Sequence, residues 1–237
     1  MTGKEHLKRV AAPRTWPITR KTSKWVAKPS PGPHSEERGM PLVIVLRDLL
    51  HIADKSREIK HILHEGKVLV DGKVRKDHRF PVGLFDVISI PEIKASYRVM
   101  IGSDGKFKLV PVSDSSLKLL KIVDKTMVPG GKIQLNFHDG TTMLASNDYH
   151  TKDTLIMKVP EKSIDQHLKY EVGSLAVVVG GKHASTVGKI KDIRIIKSTT
   201  PNRITITGPE GDFTTVEKYV VVIGKDTPVI DLVGVKA

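Results

Sequence analysis

Residues 177–190 read VVVGGKHASTVGKI, an apolar β-branched run followed by a glycine pair and then a Gly-Lys pair. A phosphate-binding loop of a nucleotide hydrolase needs four residues between its first glycine and the Gly-Lys pair, then a magnesium-binding Ser or Thr. Here six residues separate Gly181 from Gly188, and Ile190 follows Lys189. The residues beyond Lys189 alternate as a strand, whereas a phosphate loop opens a helix. We therefore expect no nucleotide hydrolysis.

The glycine spacing of this stretch resembles the KOW motif, a strand–loop–strand element of small RNA-associated β-barrels. The positions that match the motif are Gly173, Gly181, Gly188 and Ile190. The motif's basic–glycine–basic positions are occupied by Ala184, Ser185 and Thr186. The resemblance implies a tight turn with positive φ at Gly188. It leaves Lys182, His183 and Lys189 as candidate RNA contacts.

The composition of the whole chain indicates a polyanionic partner. Its 237 residues carry 39 Lys and Arg against 26 Asp and Glu, a net charge of +13 that suits nucleic acid or an anionic membrane surface. The chain contains no cysteine, which excludes disulfides, thiolate zinc sites and a cysteine nucleophile. No apolar stretch is long enough for a membrane span, and the N-terminus lacks a secretory signal. These features predict a soluble intracellular protein.

The positive charge is concentrated in residues 1–40, which hold nine basic and three acidic residues, a net charge of +6. Five prolines interrupt this segment, and no helical or alternating period survives there. It is therefore predicted to be an arm that is mobile in the free protein and becomes ordered on RNA. Cations interleaved with tryptophans can neutralise phosphates while the indoles stack on bases. The arm residues predicted to bind RNA are Lys8, Arg9, Arg14, Trp16, Arg20, Lys21, Lys24, Trp25 and Lys28. The alternative is a solvated tail.

Residues 41–94 are predicted to form a small domain of two helices and a hairpin. PLVIVLRDLL (41–50) has helical spacing of its apolar residues, with proline in the first turn. A second helix is expected from about Asp54, as N-cap, to Glu65, with Gly66 as its stop. VLVDGKVR (68–75) is a hairpin turned by Asp-Gly at Gly72, and FDVISI (85–90) is a further strand.

The rest of the chain is predicted to be β. YRVMIGSDGKFKLVPV (97–112) and KIQLNFHDGTTMLA (132–145) are two more Asp-Gly hairpins, assigned to a central β domain over residues 95–167. Short strands separated by glycine-rich turns suggest a KOW-type barrel over residues 168–237. The fold class is therefore α+β, mostly β.

The order of these segments resembles ribosomal small-subunit protein four of the archaeal and eukaryotic type. The tail HLKRVAAPRTWPITRK, the VDGKVR hairpin, a β-rich middle and the KOW unit carry this resemblance, and the chain's compact ends look archaeal. The family implies a structural constituent of the small ribosomal subunit, cytoplasmic, bound to ribosomal RNA and neighbouring ribosomal proteins. It implies no cofactor, metal, membrane or small-molecule substrate.

A basic face is expected on the second helix and the hairpin, in agreement with this resemblance. Arg57 and Lys60 lie one helical turn apart. The residues that the hairpin adds are Lys73, Arg75 and Lys76. A solvated helix face is the alternative for any single one of them.

Enzymatic alternatives find little support. His51, His61 and His64 lack cysteine or acidic partners that would complete a zinc site. His138 and Asp139 lie at a predicted hairpin turn without a nucleophile, so no catalytic residue is assigned. The remaining alternative is a non-ribosomal KOW-containing factor of transcription or translation. A factor that repeatedly binds and leaves its partner gains little from a basic, tryptophan-bearing arm, whereas a permanent component can fold such an arm against RNA.

Overall fold

A computed structural model of the chain describes residues 6–209 and 211–230. Within those residues the protein is mostly β, with two α-helices. The α-helices are α1 (Leu42–Ile44), which continues into a π-helical turn (Val45–Leu49), and α2 (Ser56–His64). Short 3₁₀ turns cover Arg9–Ala11, Pro91–Ile93 and Glu217–Tyr219.

The chain divides into two compact units. The first comprises the described residues up to Met100 together with Lys106–Ser116, and the second comprises Ile101–Gly105 and the described residues from Leu117 onward. The strands that begin in the first unit are β1 (Leu7–Lys8), β2 (Trp25–Val26), β3 (Gly39–Pro41), β4 (Leu69–Val70), β5 (Lys73–Val74), β6 (Pro81–Gly83), β7 (Val87–Ile90), β8 (Ala95–Ile101) and β9 (Phe107–Pro111).

The strands of the second unit run antiparallel in two sheets of five. They are β10 (Leu117–Val128), β11 (Lys132–Phe137), β12 (Thr142–Ala145), β13 (Thr154–Lys158), β14 (Ser163–Leu168), β15 (Leu175–Val178), β16 (Val187–Arg194), β17 (Arg203–Gly208), β18 (Gly211–Val216) and β19 (Val220–Gly224). One sheet has the order β12-β11-β10-β13-β14 and the other β18-β17-β16-β15-β19. Strand β18 was not anticipated from the sequence.

The two predicted helices are present, with small shifts at their ends. α1 and the π-helical turn bury Leu42 through Leu46. The N-cap of α2 is Lys55 rather than Asp54, and the backbone N–H of Lys55 donates to the Glu58 carboxylate at 3.2 Å. α2 buries Ile59 and Leu63, and Gly66 follows it with φ of +78°. That glycine accepts a left-handed backbone that other residues disfavour, so the chain reverses there.

Each Asp-Gly hairpin forms where it was predicted. β4 and β5 pair across Asp71 and Gly72, whose φ angles are +52° and +71°, the backbone of a type I′ turn. The five-stranded sheet that contains them has the order β5-β4-β7-β8-β9, so the second hairpin joins the first in one sheet. β11 and β12 pair across the third turn. The core of the sheet β12-β11-β10-β13-β14 is mainly aliphatic, with Leu120, Leu135 and Leu155 among its buried residues.

The N-terminal arm packs on the body of the first unit, so the expectation of a mobile arm is wrong. The indole of Trp16 is 1% exposed, and its N–H donates to the Gly39 carbonyl at 2.9 Å. The side chain of His34 is equally buried, and its Nε2 lies 2.9 Å from the Asp86 carboxylate. The arm has too little apolar surface to fold alone, but it folds against the domain that follows.

The His34 side chain occupies space left by two glycines that face each other across β3 and β6. Gly39 pairs with Gly83 in register. A Cβ at Gly39 would lie 2.7 Å from the His34 Cβ, and one at Gly83 would lie 2.5 Å from its Nδ1. Neither glycine has a positive φ. Glycine is therefore required there by close approach.

Gly188 differs from its prediction. It lies inside β16, paired with Ala176 of β15, and its φ is not positive, so the expected tight turn is wrong. A Cβ at this position would meet the Thr207 carbonyl oxygen of β17 and come within 2.6 Å of the Ile206 Cγ2. The spacing of neighbouring strands, not a turn, excludes a side chain at Gly188.

We predict that Gly188→Ala lowers the free energy of unfolding by about 1–3 kcal/mol, because an added methyl overpacks the contact between β16 and β17. Lys189→Ala is the matched control, because Lys189 is exposed and its ion pair with Asp226 is on the surface. Its expected cost is below about 1 kcal/mol. Urea unfolding measures both, and equal midpoints for Gly188→Ala and the unsubstituted protein would contradict the close contact.

Candidate nucleic-acid interface

Two arginines of the arm, Arg9 and Arg20, hold its backbone in shape. The Arg9 Nε donates to the Thr19 carbonyl. Arg20 donates from Nη1 to the Ala12 carbonyl at 2.6 Å and from Nη2 to the Pro13 carbonyl at 2.8 Å. Arg9 is 9% exposed. Their predicted role as RNA contacts is corrected in this respect: guanidinium donors committed to carbonyls fix the arm rather than face a ligand.

The arm presents its remaining cations on the outside. Among residues 6–40 the other exposed cations are Lys8, Arg14, Lys21, Lys24 and Arg38, whereas Lys28 is half-buried. Trp25 is 48% exposed and lies directly across the β1–β2 ribbon from Lys8. The Lys24 Nζ lies 5.2 Å from the centroid of the Trp25 ring, and the His6 ring lies 5.6 Å from it. A half-exposed indole among cations has surface with which it can stack on a base.

The two tryptophans therefore differ in what they can do. Trp16 is buried and donates its N–H within the fold, so the prediction that it stacks on a base is wrong. Trp25 keeps half its surface available. The sequence shows an indole in a basic context at both positions. Only the packing of the arm separates a core residue from a surface one.

The second helix, the hairpin and the loop after it carry exposed cations, and we call this segment, residues 56–80, the hairpin face. Its exposed cations are Arg57, Lys60, Lys73, Lys76 and Arg79. Partial burial lowers the pKa of His78, and the positive charges of Lys60 and Arg79 lower it further, against the opposing carboxylate of Asp77. The depressed pKa of His78 is thus a sign that α2 and the loop place like charges close together.

Three residues of the hairpin face were not predicted: His78, Arg79 and Phe80. They follow the hairpin in the run RKDHRF (75–80), whose alternation of cations with an aromatic ring was a usable signal. The loop is held by α1, because the Leu42 N–H donates to the Phe80 carbonyl at 2.9 Å and the Val43 N–H to the His78 carbonyl at 3.0 Å. The first orphan amides of that helix thereby fix a loop.

The loop between β15 and β16 is packed by aromatic rings. A Cβ at Gly180 would lie 2.7 Å from the Tyr219 ring, and the next residue, Gly181, has φ of +81°. The His183 ring stacks on Phe213 with centroids 4.3 Å apart. Ala184 and Ser185 are buried, so they cannot contact a ligand.

The three predicted contacts of this loop have unequal access. Lys182 is exposed, His183 is half-buried against Phe213, and the Lys189 ammonium lies 2.7 Å from the Asp226 carboxylate. That hydrogen bond lowers the pKa of Asp226. Lys182 is the cation of this loop with the clearest access to solvent.

The sequence of the chain matches two family models and several known proteins. Residues 93–164 match the model described as Ribosomal family S4e, and residues 1–37 match the RS4NT (NUC023) domain. The small ribosomal subunit protein eS4 of Methanocella arvoryzae is 69% identical over 232 residues, which cover 98% of this chain and 98% of that protein. The protein of the same name from Archaeoglobus fulgidus is 52% identical over 230 residues, covering 96% and 97%.

The chain belongs to the ribosomal S4e family. The resemblance inferred from the segment order is confirmed. Among solved structures, the crystal structure of the 30S ribosomal protein S4e from Thermoplasma acidophilum is similar, with a TM-score of 0.69 and 33% identity. The match covers 80% of this chain and 96% of that one. The mostly β fold with few helices agrees with that neighbour.

The polar clusters of this S4e chain have structural partners. The buried Lys118 ammonium lies 3.0 Å from the Asp139 carboxylate, which also accepts from the Thr141 N–H at 2.9 Å and from its hydroxyl. Burial raises the pKa of Asp139, but the Lys118 charge and the two Thr141 donors outweigh it and hold the pKa below its ordinary value.

Asp153 and Lys121 are likewise committed within the second unit. The buried Asp153 carboxylate accepts from the Tyr170 N–H at 2.9 Å and lies 2.7 Å from the His167 Nε2. The Lys121 ammonium donates to the Val220 carbonyl at 2.6 Å. Residues 6–209 and 211–230 contain no cluster of three metal-ligating side chains. No helix among them is long and apolar enough to cross a membrane.

We predict that Trp16→Phe lowers the free energy of unfolding by about 1–3 kcal/mol, because it leaves the buried Gly39 carbonyl without its donor. The matched control is Trp25→Phe, which changes the same residue type at an exposed site and should cost less than about 0.5 kcal/mol. Thermal unfolding of the two variants compares them directly. Equal losses would show that the arm is not anchored through Trp16.

Proposed function

We propose that this chain is a structural constituent of the small ribosomal subunit, where it binds ribosomal RNA and contacts neighbouring ribosomal proteins in the cytoplasm. The observation that carries the proposal is the identity of 69% over nearly the full length with a protein named small ribosomal subunit protein eS4. A net charge of +13 supports it, because a polyanion is the partner that such an excess favours.

RNA binding is assigned to two surfaces of the first unit, the exposed part of the arm and the hairpin face. The arm contributes Lys8, Lys21 and Lys24 as point charges for phosphates, and Trp25 stacks on an unpaired base. The hairpin face contributes Arg57, Lys60, Lys73 and Lys76. Arg9 and Arg20 act indirectly by holding the backbone that carries the exposed arm residues. Lys182 contributes a third, smaller contact from the second unit.

The four-part division of the chain belongs to the same proposal. Residues 1–40 form the arm, 41–94 the helix–hairpin RNA-binding domain, 95–167 a central β domain and 168–237 a KOW-type barrel. The first hairpin of the central domain, β8 and β9, extends the sheet of the domain before it. The sheet order β18-β17-β16-β15-β19 supplies five antiparallel strands from which such a barrel is built. Its Gly181–Ile190 segment supplies the strand–loop–strand element.

A scaffold role without catalysis fits the way polar groups are used. Asp139, Asp153 and Lys121 are tied to partners inside the fold, and none forms a nucleophile–base pair. The alternative, a KOW-containing factor outside the ribosome, is not favoured, because the similarity to the S4e relatives extends through the arm, the hairpin domain and the β-rich remainder.

The first experiment is sedimentation of the tagged chain in an extract of its own organism. We expect the protein to move with the small subunit in a sucrose gradient at high salt. Salt weakens phosphate contacts, so retention there depends on stacking and packing contacts that it does not screen. An unrelated basic protein with a similar net charge serves as control and should be released. Recovery of the chain at the top of the gradient, or with RNA polymerase, would favour the alternative.

A second prediction concerns the exposed arm. Replacing Lys8, Lys21 and Lys24 together by Ala should reduce the slope of log K against log salt by about 2, because each phosphate contact contributes roughly 0.7–0.9. Thermal stability should be unchanged, because these side chains are exposed. Binding of small-subunit ribosomal RNA is titrated at several salt concentrations. A variant with Lys132, Lys162 and Lys197 replaced by Ala loses the same charge, and an equal effect there would refute the assignment to the arm.

A further inference from the structure

Arg75 differs from the other cations of the hairpin face in how it is held. Its guanidinium carbon lies 4.3 Å from the centroid of the Phe80 ring, and the residue is half-buried. Its Nε is buried, and within residues 6–209 and 211–230 the guanidinium has no hydrogen-bond or ion-pair partner. The terminal Nη groups are not buried. A stacked, uncompensated arginine therefore points its free donors outward.

Contact with the Phe80 ring restricts the guanidinium before any ligand arrives. The Arg75 backbone is fixed by its N–H bond to the Val68 carbonyl at 3.1 Å, and Phe80 by its bond from Leu42 at 2.9 Å. A planar cation on an aromatic face loses little further conformational freedom when it binds. A free lysine or arginine loses the freedom of several rotatable bonds. The unpaired buried Nε is a cost that the aromatic contact partly offsets.

The surroundings of Arg75 favour a phosphate over a base. Lys73 and Lys76 on either side of it are exposed cations on the same hairpin. A row of positive charges follows a sugar–phosphate backbone. The deep major groove of an RNA duplex hides the base edges that an arginine fork reads in DNA. Two parallel N–H donors match the two free oxygens of one phosphodiester.

We propose that Arg75, held in place by Phe80, is a bidentate clamp for one phosphodiester of the bound RNA, while its lysine neighbours act as interchangeable charges. The proposal rests on the proposed function, since the ligand is RNA. It adds a geometric requirement at one residue. Charge alone does not satisfy that requirement, so Lys at position 75 is a poor substitute.

The experiment measures binding of small-subunit ribosomal RNA, transcribed in vitro from the gene of the same organism, across a range of salt. Arg75→Lys keeps the charge and removes the fork, so Kd should rise about tenfold with an unchanged salt slope. Phe80→Leu should also raise Kd, and the double variant should bind no more weakly than Arg75→Lys. Arg194→Lys and Lys132→Arg are controls that should change Kd less than about twofold, because both residues are exposed and neither is assigned to an RNA contact.

A second measurement keeps the test independent of variant stability. In the unsubstituted protein, the Arg75 Nε–H resonance in ¹H–¹⁵N spectra should be shifted by the Phe80 ring and should move on addition of RNA. Phe80→Leu should remove the ring shift. If the ring-shifted resonance did not move on addition of RNA, the clamp would be refuted even if Arg75→Lys proved unstable.

Each remaining outcome has a distinct meaning. Equal Kd values for Arg75→Lys and the unsubstituted protein would reduce Arg75 to a point charge and refute the clamp. If RNA transcribed with 7-deazaguanosine abolished the difference between the two proteins, the fork would read a guanine edge instead of a phosphate, which also refutes it. Failure of the unsubstituted protein to bind ribosomal RNA better than unrelated RNA would instead refute the proposed function.

Discussion

The burial of His34 against Asp86 is the constraint on which the shape of the first unit depends. The imidazole occupies the space above Gly39 and Gly83, where two strands meet without side chains, and its Nε2 lies 2.9 Å from the carboxylate. Asp86 also accepts the Gly83 N–H at 2.9 Å. Removing either partner would take one hydrogen bond from a buried polar group, which costs more than the bond itself contributes. The pair therefore locks the end of the arm to the domain after it.

That attachment determines which arm residues are exposed. Trp16 is buried because the chain before His34 packs on the domain. There the Phe107 N–H donates to the Thr15 carbonyl at 2.8 Å. Arg9 and Arg20 then bond the carbonyls of a segment that has few backbone partners of its own. An irregular chain must satisfy its carbonyls somehow, and side-chain donors do so here. The exposed residues Lys8, Lys21, Lys24 and Trp25 remain on the outside.

The hairpin face follows a similar logic. α1 is short, and its first amides bond the loop that carries His78 and Phe80. Phe80 in turn stacks on Arg75. A helix terminus, a loop and a hairpin thus act in series to position one guanidinium. The exposed lysines around it need no such support, because a flexible ammonium can follow a phosphate wherever it lies.

Local patterns in the sequence determined the hairpins, both helices and the mostly β class, because a turn such as Asp71-Gly72 depends on the residues that form it. The order of segments also determined the family. Tertiary structure alone decided that Trp16 is buried while Trp25 is exposed, that Arg20 bonds backbone carbonyls, and that Gly188 faces Thr207 of another strand. Those outcomes depend on atoms distant in sequence, such as Gly39 for Trp16. The residue types in a basic, proline-rich segment therefore do not predict such contacts individually. The same residue type can be buried, bond the backbone or lie on the surface, depending on what packs against it.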